Sequence, residues 1–426
     1  MKKIGIAVLV VLMILNSMAF SFADTGKEPI IEAKAAVLID ASTGEVLFDK
    51  NMNQKMYPAS TTKIMTALLV LENLKLSQVV TVDKETALTG GSQINLIEGE
   101  KITVEQLLYA LLLKSANDAA VALAKEVSGS VPQFAELMNA RSKELGAQNT
   151  HFVTPNGLPN DNHYTSAYDL AMIAKGAMQN QEFRKLVTTL KYTIPKTNKS
   201  GARELNNPNK LLYSKAKISV NGVLRPFKYK GATGIKNGYT DEAGRCLVAS
   251  AKRGDRELIS VVLNTSADGK FADSIALLDY GFDNYRRELA IKKGESIGNI
   301  KVVKGAVRSV DVVAAKSAYV SVFGEETEAS NVSSKTVMDH EIKAPIAKGQ
   351  KVGKVEIYKG DDLVDQVDAV VAKSVNEGGF LSTFGIPDWA AHIVFGVIAI
   401  FAVLGILGKI AARNRNRRRR RRRKSR

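Results

Sequence analysis

The chain has 426 residues, 45% of them hydrophobic, and a formal net charge of +17. That length suggests two or three domains, and that composition allows a large core. The charge excludes little about the folded part: residues 409–426 hold two Lys and ten Arg with no acid, and taking those twelve from +17 leaves +5. A single cysteine, Cys246, excludes an internal disulfide framework, and His151, His163, His340 and His392 form no metal-ligand spacing. No metal and no cofactor is therefore expected.

From the N-terminus, MKK, the apolar run IGIAVLVVLMIL and SFA before Asp24 have the layout of a secretory signal peptide over residues 1–23. The apolar run is short for an N-terminal membrane anchor. AAVLIDASTGEVLFDK, Ala35 to Lys50, reads as a hairpin around the turn residues Asp40 to Gly44. YPASTTKIMTALLVLE, Tyr57 to Glu72, predicts a buried helix opening with Ser60 and Lys63 on one face. A second Ser-x-x-Lys, Ser214 to Lys217, lies in a polar stretch that leads into no apolar helix.

Lys101 to Gly129 begins with a capping box from Thr103 to Gln106 and reads as two helices, broken at Ser115-Ala116-Asn117. Residues 131–145 and 165–178 also look helical. From Gly231 the pattern turns to strands: ATGIKNGYT, RCLVASAKR and ELISVVLNT. Sheet-like ends around a helical middle predict an α+β domain whose late strands pair with the early hairpin. Short alternating strands with Gly and Lys-Gly turns then predict a small all-β domain, a spacer or docking module without an acid–base or nucleophile cluster.

WAAHIVFGVIAIFAVLGIL, Trp389 to Leu407, is long enough to span a bilayer. The Arg run directly after it reads as a stop-transfer flank that holds the C-terminus inside and leaves the body outside the cytoplasm. Attraction to anionic headgroups suits a tail beside a span, and no nucleic acid partner is expected.

A Ser and a Lys at i and i+3 on a buried helix start suggest an acyl-transfer serine enzyme. Burial and a second cation would lower the lysine pKa enough for it to act as base. The helix N-terminus would favour a developing oxyanion. Ser115, Asn117 and Lys236 are the remaining polar candidates.

Ser60-Thr-Thr-Lys63, Ser115-Ala-Asn117 and Lys236-Asn-Gly238 resemble, in order and spacing, the three signatures of penicillin-recognising serine enzymes. The flanking phrases GEKITVEQLLYALLLKSANDAAVALA, PNGLPNDNHYTSAYDLAMIA and LLDYGF extend the resemblance over roughly residues 30–375. They are similar to low-molecular-mass penicillin-binding proteins of the serine-type D-alanyl-D-alanine carboxypeptidase type. The resemblance implies an antiparallel sheet with a helical subdomain over 24–288, a small all-β domain over 289–375 and a linker over 376–388. A transmembrane helix over 389–408 and a basic cytoplasmic tail over 409–426 complete a single-pass type I protein of the cell membrane.

The resemblance also implies roles. Ser60 would be acylated by peptidoglycan stem peptides ending in D-Ala-D-Ala, and covalently by β-lactam antibiotics, with Lys63 as base. Ser115 and Asn117 would relay protons and hold the substrate amide. Lys236, Asn237, Gly238, Tyr239 and Lys270 would bind substrate, and the Ser60 and Tyr239 N–H groups would form the oxyanion hole. Such an enzyme serves cell-wall biogenesis and cell shape. The chain departs from the family pattern at Asn237, where Thr or Ser is usual, and at Lys270, where Arg is usual. A catalytically weak wall-binding scaffold and a β-lactamase are the alternatives; Ala116, the β domain and the anchor argue against the latter.

Overall fold

The patterned stretches form the elements they imply in a computed structural model that describes residues 28–324, 332–380, 382 and 388–424. The expected signal peptide lies outside the described residues. The chain divides near Arg287 into two compact units, and a short segment from Ser321 belongs to the first.

The first unit is built on five antiparallel strands: β1 (Ala35–Asp40), β2 (Val46–Lys50), β3 (Ala232–Thr240), β4 (Gly244–Arg253) and β5 (Arg256–Thr265). Their order is β2-β1-β5-β4-β3, so the early hairpin joins the late strands through β1 and β5, with Val37 opposite Val261. Strand side chains alternate between faces. Ala35, Val37 and Ile39 accordingly enter one core, and Ala36 and Leu38 the other. Helix α3 (Ala167–Ala177) lies on one face and α4 (Gly269–Asn284) on the other. With both faces covered, β1 is buried throughout and its sequence is an apolar run rather than an alternation.

Helix α1 (Lys63–Asn73) packs between α3 and α2 (Asn117–Ser128), and every residue from Lys63 to Val70 is buried. Ile64, Met65, Leu68, Leu69 and Val70 contribute roughly 1.5–3 kcal/mol each by leaving water, an upper bound for burial on folding. Their sum offsets the several kcal/mol that desolvating Lys63 costs.

The expected capping box is formed: Thr103 Oγ1 accepts from Gln106 N–H, and the Gln106 side chain accepts from Thr103 N–H. The helix from Val104 widens into a π-turn over Ala110–Lys114, and Ser115 then takes a left-handed conformation with φ 61°. That single residue ends one helix, and Ala116 then caps the start of α2. Helices Val131–Glu144 and α3 are N-capped by Ser130 and Ser166.

In the second unit, six strands form a mixed sheet in the order Val332–Met338, Lys351–Lys359, Asp362–Val371, Ser309–Ala314, Ser296–Val303, Glu341–Lys343. The pair formed by Ser296–Val303 and Glu341–Lys343 is parallel and the other pairs are antiparallel. Ile300, Val302, Val310, Val312, Ala369 and Val371 are the alternate residues that build its core. Helix Asp388–Lys424 follows. Its part Asp388–Asn416 is long and apolar enough to cross a membrane, with a mean hydropathy of 2.6 over its most apolar 18 residues. Ile393, Phe395, Ile398 and Phe401 on it are exposed.

Candidate active site

Ser60 sits just ahead of α1 rather than inside it. The Pro58 carbonyl accepts from the Thr61 N–H at 3.2 Å and from the Thr61 hydroxyl at 2.6 Å, which tightens Ala59–Thr62 into a 3₁₀ turn. Residues i and i+3 eclipse in such a turn, so Lys63 stands directly over Ser60.

Lys63 is fully buried, and its Nζ has three polar neighbours: Ser60 Oγ at 2.9 Å, Asn117 Oδ1 at 2.8 Å and the Asn156 carbonyl at 2.6 Å. Asn117 Nδ2 donates to the Gly90 carbonyl at 2.8 Å, which fixes Oδ1 toward the amine. Two of the three neighbours can only accept. A neutral amine has two N–H donors and one lone pair, so Asn117 and Asn156 take both donors and the lone pair is left for the Ser60 O–H. Burial holds the Lys63 pKa well below the usual lysine value, and the Lys236 charge lowers it further; Asp118 acts in the opposite sense. Asp118 itself is buried and accepts from the Leu96 and Ile94 N–H groups, holding the strand-like loop beside Asn117.

A second pair faces the first. Lys236 Nζ, also buried, donates to Ser115 Oγ at 3.1 Å and to the Asn237 carbonyl at 2.9 Å. The Ser115 oxygen thus accepts, and its own proton is free to be donated. Burial, reinforced by the Lys270 charge, lowers the Lys236 pKa to about 7. Non-glycine residues at positive φ cost about 1–3 kcal/mol. Ser115 bears that strain where its hydroxyl meets Lys236.

β3 is one of the two edge strands of the sheet. Gly238 on it passes so close to the nucleophile turn that a Cβ there would lie 3.2 Å from Ser60 N and 3.1 Å from the Pro58 carbonyl. Asn237 and Tyr239 occupy the opposite side of the strand. Asn237 Nδ2 makes a long hydrogen bond of 3.3 Å to the Pro208 carbonyl. The Tyr239 ring is exposed and its hydroxyl donates to Asp241 at 2.6 Å. Lys270 lies in the first turn of α4, buried, with its pKa lowered to about 8 by burial first and then by Arg245.

The structure therefore joins Ser60, Lys63 and Asn117 in one hydrogen-bonded group and Ser115 with Lys236 in another, with the two lysines close enough to repel. Asn237, Tyr239 and Lys270 lie on the other side of the strand edge. Sequence reasoning missed the loop Pro155-Asn156-Gly157. Its signals were the Asn-Gly turn dipeptide and its place at the head of the phrase PNGLPNDNHYTSAYDLAMIA, to which no role was given. Gly157, at φ 81°, presses against the nucleophile turn: a Cβ would come within 1.9 Å of the Ala59 carbonyl. His163 was also missed. Its Nδ1 accepts from the Val153 and Thr154 N–H groups at 3.0 and 3.2 Å, so Nε2 carries the proton and donates to Thr62 Oγ1 at 2.9 Å. Burial first, then His151 and Lys63, lowers its pKa to about 4, and the neutral ring stitches this loop to the turn.

Residues 23–267 match the family described as D-alanyl-D-alanine carboxypeptidase, and residues 285–377 match the C-terminal domain of penicillin-binding protein 5. The chain is 35% identical to the D-alanyl-D-alanine carboxypeptidase DacF of Bacillus subtilis over 405 residues, covering 91% of this chain and 99% of that one. It is 32% identical to DacA of Escherichia coli, covering 83% and 86%. Among solved structures, penicillin-binding protein 5 of Haemophilus influenzae superposes with a TM-score of 0.65 at 30% identity, covering 83% of this chain and all of that one.

Proposed function

This chain belongs to the D-alanyl-D-alanine carboxypeptidase family of serine-type hydrolases, and on that premise we propose how its own residues carry the reaction. Ser60 Oγ attacks the penultimate D-Ala carbonyl carbon of a peptidoglycan stem peptide while its proton passes to Lys63 Nζ. The Ser60 and Tyr239 N–H groups hold the resulting oxyanion. As the C–N bond breaks, Ser115 gives its proton to the departing D-Ala amine and is reprotonated through Lys236; the proton that Lys63 took from Ser60 replaces the one Lys236 gave, so Lys63 is neutral again. Asn117 holds the substrate amide as well as Lys63. A water, deprotonated by Lys63, then attacks the Ser60 ester; the shortened peptide leaves and Ser60 recovers its proton. A β-lactam enters by the same first step and stops at the ester.

The observation that carries this reading is the set of three contacts at Lys63 Nζ, which leaves one lone pair and one hydroxyl facing each other. The test is to incubate the full-length protein with labelled penicillin, then with a peptide ending in D-Ala-D-Ala. The expected result is a long-lived adduct on Ser60 and release of D-Ala. Rapid turnover of penicillin would assign a β-lactamase, and absence of an adduct a scaffold.

Signal-directed export over residues 1–23, a catalytic domain over 24–288, a β domain over 289–375 and a type I span over 389–408 complete the proposal, with service in cell-wall biogenesis and cell shape. The exposed apolar face of helix Asp388–Asn416 and the Arg run after it support a C-terminal anchor, body outside. External protease applied to intact, wall-stripped cells should remove the body and spare the tail; a tail cut from outside refutes the orientation.

A further inference from the structure

Half-buried arginines in the first unit are answered by acceptors: Arg184 by Glu257 at 2.7 Å, Arg203 by Glu100 at 2.7 Å, Arg225 by Asp279, and Arg256 by the Tyr285 and Gly281 carbonyls. One cluster breaks that rule. Arg245, on β4 directly opposite Tyr239, stacks its guanidinium 3.6 Å from the centroid of the Tyr239 ring. Lys270, only 9% exposed, has its ammonium 4.9 Å from the Phe271 ring centroid, and the Lys210 ammonium lies 5.7 Å from the same ring. Among the described residues none of these three cations makes a side-chain hydrogen bond or ion pair.

They nevertheless crowd one another. After burial, Arg245 and then Lys210 depress the Lys270 pKa, Cys246 and Asp268 oppose them, and Lys270 in turn adds to the effect of burial in depressing that of Lys236. Uncompensated cations held together in a partly buried place cost the fold stability, and an anion bound among them would relieve that cost. The three stand on the Asn237 and Tyr239 side of the edge strand, beside the reacting groups rather than among them.

We infer that Arg245 is the specificity residue for the substrate's terminal carboxylate, gripping it at two points while Lys270 and Lys210 supply supporting charge. The inference rests on the carboxypeptidase reading of the site. A guanidinium offers planar, paired N–H donors that fit a carboxylate, which an ammonium does not. Stacking on Tyr239 pre-organises that plane beside the backbone N–H assigned to the oxyanion, so carboxylate capture and carbonyl polarisation are tied to one residue pair. Lys270, buried against Phe271, is poorly placed to grip and well placed to add field.

The test compares kcat/KM for an acylated D-Ala-D-Ala peptide with that for its C-terminal amide, using full-length protein in detergent. In Arg245→Gln the acid-over-amide preference should fall about 10–100-fold, the range for losing a charged hydrogen-bonded pair, mostly through KM. Lys270→Gln should lower it less. Arg245→Lys, which keeps the charge and covers the case where the Gln variant unfolds, should still lose at least about fivefold of the preference. A preference unchanged within twofold in Arg245→Lys, or in a folded Arg245→Gln, overturns the assignment of Arg245. Wild-type protein that cleaves the last residue from neither peptide overturns the carboxypeptidase reading instead.

Discussion

Ser-x-x-Lys occurs twice in the first unit, and the two copies share spacing and nothing else. Ser60 and Lys63 straddle a 3₁₀ turn and the start of a buried helix, and the lysine has lost all contact with water. Lys217 is exposed and opens a short strand opposite Pro226, three residues beyond Ser214 in an irregular stretch. A strand residue at i+3 points away from residue i, and an ammonium in water keeps its proton. Chemistry here comes from the acceptors around the amine rather than from the motif that supplies it.

The largest expected effect separates those copies. Ser60→Ala should abolish labelling by penicillin, and Lys63→Arg should slow it by about 10²–10⁴-fold, because a guanidinium keeps its proton at any working pH. Lys217→Arg and Ser214→Ala should leave the labelling rate within experimental error. Labelling of Ser60→Ala at normal stoichiometry would place the nucleophile elsewhere. A normal rate in Lys63→Arg would remove Lys63 as base.

Much of this arrangement was legible in the sequence because its parts are local. The capping box at Thr103, the break at Ser115-Ala116-Asn117 and the all-apolar face after Lys63 are decided within a turn or two of helix. The α+β architecture followed from strand-like ends around a helical middle, which only pairing of β1 with β5 could satisfy. What stayed hidden is what side-chain letters do not encode. The Asn156 group that completes Lys63 is a backbone carbonyl, which any residue could present. The 3₁₀ turn depends on the Pro58 carbonyl in the same way. Arg245 became visible only through strand register, which sets it opposite Tyr239.

A smaller effect separates the buried lysines by charge state. Lys63 works only when neutral, so acylation should rise with pH through its lowered pKa. Lys236, at about 7, and Lys270, at about 8, lose their charge just above neutrality, so capture of an anionic substrate should fall across that range. The kcat/KM profile for D-Ala release should be bell-shaped. Lys236→Arg, whose charge does not titrate, should move the falling limb upward. A limb unmoved in both Lys236→Arg and Lys270→Arg would mean that neither lysine controls it. The sign for stability follows from the same depression: the folded state holds these protons more weakly than the unfolded chain. The fold is penalised below the folded pKa of Lys236, and the penalty is lifted as pH rises from about 7 toward the unfolded lysine value of about 10.4.

The smallest effect concerns two asparagines placed as differently as the two serines. Asn117 has both ends of its amide engaged, by Lys63 and by Gly90. Asn237 has one long bond to the Pro208 carbonyl, on the side of the strand where Arg245 and Lys270 gather. A hydroxyl at position 237 could donate to a bound carboxylate, a bond to a charged group contributing about 1.5–3 kcal/mol. The amide already spends a donor on Pro208 and recovers only part of that. Asn237→Thr should therefore raise turnover of D-Ala-D-Ala peptides, by about tenfold for 1.4 kcal/mol of recovered transition-state stabilisation. The gain should shrink on the C-terminal amide, where the hydroxyl has no charged partner. It should also couple with Lys270→Arg, since both changes act on one carboxylate. A fall in D-Ala release would mean that the tie to Pro208 matters more than the missing hydroxyl, making Asn237 a support for the loop that carries Lys210. Equal gains on acid and amide would set Asn237 outside carboxylate recognition altogether.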